Sequence, residues 1–233
     1  ASSSKPAENT GEIMKKGVVL TGVGTCFAIL FSYAAIFANK AQIFRKLESI
    51  TPGPCVTLPG FKGPEDIVVD HETGFAYITV ADRFAVAQEH GSPNGNIARL
   101  DLREPKPTPV MLNPRDPDQF FPHGLDLHID ENGVKRLYAV NHWSDETRHT
   151  IDSFLITNKN ELKLETSFEA NLLSSPNDVT VVEPGVFFAS NDMGARSSIG
   201  VTLETYLMLP WSNVALYQQG KTEKVIDGLR YGN

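Results

Sequence analysis

Four residues at near-equal spacing carry the chemistry of this sequence. Glu65, His123, Asn177 and Asn233 lie 58, 54 and 56 residues apart. The first three each follow a proline that opens an apolar run, in PEDIVVD, PHGLDLHID and PNDVTVV. Glu and Asn offer oxygen ligands, and with neighbouring Asp66 and Asp178 the set is hard and anionic. That is calcium chemistry, since Ca2+ gathers six to eight oxygens from carboxylates, amide carbonyls and water. Zinc would need clustered Cys or His, and the sequence has no such cluster. His123 is the member of the column suited to moving a proton, and His142 closes the partner strand of the same hairpin. The two imidazoles are therefore expected side by side, one polarising the other as a general base. Next to a metal that polarises a carbonyl, they make a hydrolytic constellation. Side chains alternate along a strand, so Asp66 and Asp178 face away from Glu65 and Asn177, which gives two separate calcium sites. Turn formation and capping explain the flanking Pro, Gly and Asp residues. They do not explain why the residue after each proline can bind a metal or a proton. No G-x-S-x-G elbow, P-loop or dinucleotide fingerprint is present.

Strands must position these residues. DIVVD-HETG-FAYITVAD, GLDLHID-ENG-VKRLYAVNH, SFLITN-KN-ELKLETSF and DVTVV-EPG-VFFASND are apolar runs joined by short polar turns. The body from residue 55 to 233 reads as all-β. A repeat of 40–60 residues with several strands per unit is the signature of a β-propeller, whose equivalent positions converge on a central channel. No second long helical pattern is expected.

The N-terminal part is different. Residues 17–39 (GVVLTGVGTCFAILFSYAAIFAN) carry no charge. As a helix they span roughly 35 Å, enough for a hydrocarbon core of about 30 Å. They are too long for a cleaved signal peptide core, so a transmembrane or retained signal-anchor helix is expected. Residues 1–16 form a tail before it. Residues 40–54 form a linker, with a short helical continuation at 41–50 ended by TPGP. Basic residues flank the run evenly, so charge does not orient it.

The net charge of −7 argues against a nucleic-acid partner. The two cysteines are Cys26, inside the apolar run, and Cys55; residues alone favour a free thiol at Cys55. The chain starts at Ala and stops in YGN, so it is expected to be a fragment.

Taken together, GPEDIVVD, FPHGLDL, LYAVNH, SPNDVTVV, FFASND and TYLMLPWSNVALY resemble the paraoxonase/arylesterase family of calcium-dependent lactonases. The resemblance runs in order from about Cys55 to Asn233. It implies a six-bladed propeller, of which this chain covers the first three to four blades, with two calcium ions hydrolysing lactones and aryl esters. It implies Glu65, Asn177 and Asn233 as ligands of a catalytic calcium. Asp66, Asp178 and the backbone carbonyl of Leu125 would hold a structural one. His123 and His142 would be the histidine dyad, and Cys55 would bridge to a far C-terminal cysteine. A retained N-terminal anchor and a lumenal or extracellular catalytic domain are also implied. Met193 departs from the family pattern, in which animal members tend to carry His, and Phe121 stands where a polar residue is usual. Two other functions fit the residues: a non-catalytic, calcium-stabilised binding propeller, and a propeller of the gluconolactonase or strictosidine-synthase-like type.

Overall fold

Short apolar runs that end in Asp-capped, Gly-containing turns fold back on themselves. Strand β1 (Pro64–Asp70) meets β2 (Phe75–Val80) through such a turn. There the Asp70 carboxylate accepts from the Glu72 and Thr73 amides at 3.1 and 3.4 Å, and Gly74 takes φ +74°. Asp130 repeats the device between β5 (Pro122–Ile129) and β6 (Lys135–His142), accepting from the Asn132 and Val134 amides at 2.9 and 3.0 Å. In this computed structural model the described residues are 10–48, 50, 53–87, 92–143 and 148–232.

The remaining strands are β3 (Asn96–Asp101), β4 (Val110–Met111), β7 (His149–Ile156) and β8 (Leu162–Phe168). They are followed by β9 (Pro176–Glu183), β10 (Val186–Asn191), β11 (Ser212–Gln218) and β12 (Lys221–Leu229). These elements form three four-stranded antiparallel sheets, β1–β4, β5–β8 and β9–β12, each in chain order and none closed into a barrel. Successive meanders of this kind are consistent with a propeller-like fold. The three hairpins aligned by their prolines each open a sheet, as β1–β2, β5–β6 and β9–β10.

β1 packs against β5, and β5 against β9. The central strands of sheet β5–β8 are therefore covered on both sides, and β6 is buried without alternation from Leu137 to Asn141. Leu137 and Phe154 join Tyr77, Ile97 and Phe120 in one core cluster. Tyr138 and Ile151 join Val179, Phe187 and Tyr217 in the other. The Phe187 and Tyr217 rings stack at 4.7 Å.

Helix α1 (Thr10–Lys40) belongs to a separate unit that ends near Val56. From Val18 to Lys40 it is long and apolar enough to cross a membrane by length and composition. The helical continuation expected at 41–50 does not form at the described residues 41–48 and 50. Residues 41–44 are a turn in which Gln42 adopts φ +52°, which ends the helix. Two helices were not anticipated. These are α2 (Arg83–Ala87) after β2, and α3 (Ser198–Leu207) between β10 and β11. Ser197 caps α3 by accepting from the Gly200 amide at 3.1 Å. Cys26 and Cys55 are both free and exposed.

Candidate functional site

The residue after each opening proline falls in a β-bulge. Strand register slips between Pro64 and Ile67, between Pro122 and Leu125, and between the partners of Pro176 and Asp178. Glu65, His123 and Asn177 are thus turned out of the ladder at equivalent places in three sheets. A bulge is a common means of re-aiming a side chain at a site.

The geometry then becomes specific. His123 Nδ1 lies 3.1 Å from Glu65 Oε1. The carboxylate can only accept, so the neutral ring donates Nδ1–H to it and keeps its lone pair on Nε2. That Nε2 is buried and has no hydrogen-bond partner. The His123 and His142 rings stack at 4.1 Å, 23° from parallel. His142 Nε2–H donates to the Pro176 carbonyl at 2.6 Å. His149, opposite His142 in the ladder, places its ring 4.4 Å from the His142 ring. Burial, followed by the Arg83 charge, lowers His123 to about 4. Burial, followed by the His123 and His149 rings, lowers His142 to about 3. Both imidazoles are neutral at pH 7. A carboxylate beside His123 would ordinarily favour its charged form. Here Arg83 pairs with the other Glu65 oxygen and cancels that field.

Arg83 was missed by the sequence reading. It comes from α2, donates to the Pro122 carbonyl at 2.9 Å and lies over the Phe121 ring at 5.1 Å. Its Nη1 is buried and unpartnered. Nothing in the repeat could have found it, because α2 lies outside the strands that repeat.

A second layer lies on the other side of the inner strands. Asp66 Oδ2 accepts from the Leu125 amide at 2.8 Å, and Asp126 Oδ2 accepts from the Val181 amide at 2.7 Å, so each ties one sheet to the next. Asp178 closes against Gly124, where a Cβ would strike its carboxylate and backbone. Burial pushes Asp178 up, and the charges of Asp66 and Asp126 push it further. Asn177 Nδ2 donates to Asp192 Oδ2 at 3.2 Å, and Asp192 is raised by burial. Asn233 lies outside the described residues. Among the described residues no group of three or more His, Cys, Asp or Glu side chains is arranged to hold a metal.

A cavity of about 440 Å3 opens beside His142 and His149. Phe121, Leu173, Met193 and Val201 form its apolar wall, and Arg148, Glu169 and Arg196 form its polar one.

The family model Arylesterase matches residues 59–233. Serum paraoxonase/arylesterase 2 of Homo sapiens is 30% identical over 217 residues, which cover 91% of this chain and 60% of that protein. Serum paraoxonase/arylesterase 1 of Rattus norvegicus is 28% identical over 226 residues, covering 94% and 63%. Serum paraoxonase/lactonase 3 of Oryctolagus cuniculus is 28% identical over 230 residues, covering 94% and 63%. The chain thus spans somewhat under two thirds of the length of these relatives.

Proposed function

The chain belongs to the arylesterase family, and from that premise we propose that it is the N-terminal part of a calcium-dependent hydrolase of lactones and aryl esters. The observation that carries this reading is the stacked His123–His142 pair, with Glu65 on Nδ1 and an unpartnered buried Nε2 on His123. We take the three sheets as successive blades of a six-bladed propeller.

The donor chemistry suits calcium. Asp178 is raised partly by Asp66 and Asp126, three carboxylates whose mutual repulsion a hard cation would relieve. In this reading Asp66, Asp178 and the Leu125 carbonyl hold one ion, and Glu65, Asn177 and Asn233 hold the other. Bound at Glu65, Ca2+ supplies Lewis acidity toward a carbonyl oxygen. The chain's own residues do the rest. His123 Nε2 accepts a proton from water, and Glu65 orients the ring by accepting from Nδ1–H. Stacked His142, held by Pro176, fixes the plane of the ring. Apolar α1 anchors the catalytic body to a membrane in this reading, on the lumenal or extracellular side. That is where millimolar calcium is available.

The test uses the full-length protein and phenyl acetate or a simple lactone. Chelation should abolish hydrolysis and added Ca2+ should restore it. Turnover that survives complete calcium removal would refute the mechanism.

A further inference from the structure

The cavity beside the histidine stack has an uneven charge. Arg148 is neutralised by Glu169 at 3.0 Å and lies over the Trp143 ring at 4.6 Å. His142 is neutral. Arg196 is exposed at the rim, and one of its guanidinium nitrogens donates to the Asn171 carbonyl. It has no carboxylate partner among the described residues. Among the described residues the rim therefore carries one cation without a carboxylate partner, oriented by the Asn171 carbonyl.

That cation is held in place from beneath. Glu204 of α3 is only 2% exposed and accepts from the Gly194 amide at 3.0 and 3.1 Å and from the Ala195 amide at 2.8 Å. A carboxylate gripping two successive backbone amides fixes a turn firmly. Gly194 is required there, since a Cβ would strike the Trp211 backbone. The clamp ends one residue before Arg196, so the position of Arg196 is part of the fold. Phe121, Leu173 and Met193 line the same cavity and favour an apolar body. His142 lines the same cavity and stacks on His123, so a ligand seated here abuts the reacting pair.

We infer that this cavity selects esters or lactones that carry an anionic group, with Arg196 recognising that group and the apolar wall taking the rest of the molecule. The inference rests on the hydrolase reading above. Arg196 acts on binding, so its effect falls on KM and not on kcat. Glu204 is a positioning residue that acts through the 194–195 turn.

The test compares phenyl acetate with 4-acetoxybenzoate, which differs by one carboxylate, in full-length protein. Wild type should show the lower KM for 4-acetoxybenzoate, with the advantage shrinking as salt is added. Arg196→Gln should raise the 4-acetoxybenzoate KM about tenfold more than the phenyl acetate KM, and Arg196→Lys should restore part of the advantage. Equal KM values for the two esters in wild type, or equal effects of Arg196→Gln on both, would overturn the inference. A calorimetric titration with 4-hydroxybenzoate separates the two readings. If neither ester is hydrolysed but wild type binds 4-hydroxybenzoate and Arg196→Gln does not, the hydrolase reading fails and anion recognition stands. No binding by wild type overturns the recognition itself.

Discussion

At the residue scale, the site is an ordered series of contacts from Arg83 through Glu65, His123 and His142 to His149. Its charge states follow from burial. Free imidazole titrates near 6.5, whereas His123 and His142 in the fold stand at about 4 and about 3. Between those limits the unfolded chain holds more protons than the folded one, so stability rises with pH. The loss begins as pH falls below about 6.5 and is complete below about 3. Raised Asp178 and Asp192 have the opposite sign. The histidine share is therefore read as the difference between wild type and the His123→Gln/His142→Gln double variant. Melting temperature against pH should be flatter for the variant from pH 6.5 down to 4; identical slopes would show that the stack does not titrate as described. Arg83 supports a second prediction. Its guanidinium occupies a Glu65 oxygen that the proposed catalytic calcium also needs. Replacing it with Met should tighten calcium binding by roughly tenfold, since a competing charge of about 1–2 kcal/mol is removed from a half-buried ligand. Calorimetry on full-length protein would read this, and weaker binding in the variant would mean that Arg83 supports the metal site instead.

At the element scale, the bulge does the positioning. The repeated Pro-X-Asp/Gly pattern was legible because it opens each sheet, and the slip in register explains why X alone leaves the ladder. His149 was also within reach of the sequence. It lies directly opposite His142 once β6 and β7 are paired, though it falls outside the repeated hairpins. Gly124 shows the element-scale constraint most directly. Its position lets β9 approach β5 so closely that Asp178 fills the space a side chain would need. Gly124→Ala should therefore cost about 1–3 kcal/mol by overpacking, read as a lower urea midpoint. Gly133 is the comparison, because no atom lies within 4 Å of a Cβ built there. It adopts φ +75°, so Gly133→Ala isolates the backbone cost without any clash. A Gly124→Ala midpoint no lower than that of Gly133→Ala would contradict the close approach.

At the scale of the whole molecule, the middle sheet contributes to two core clusters, one shared with each neighbouring sheet, and a third cluster lies on β2 and β3. This explains the unbroken burial of Leu137–Asn141 in β6 and of Thr150–Phe154 in β7. It also accounts for the Asp66 and Asp126 links, which join neighbouring sheets through a side chain and a backbone amide. Asp126 escaped the repeat because it lies two residues past the position of Asp66 and Asp178, which Gly124 fills in the middle sheet. α1 is a separate unit with its own physics, uncharged from Val18 to Asn39 and largely exposed there.

The sequence by itself determined the apolar N-terminal helix, the β character of the body and the equivalence of Glu65, His123 and Asn177. Each depends on local periodicity or on a spacing that survives without knowledge of the packing. Tertiary structure alone decided that Arg83 pairs with Glu65, that Glu204 grips the turn before Arg196, and that the cavity lies on the His142 side of the stack. The first two join a helix to a strand or a loop, and the cavity draws its lining from several elements. No repeat encodes them, because they arise only when separate elements close on a common volume.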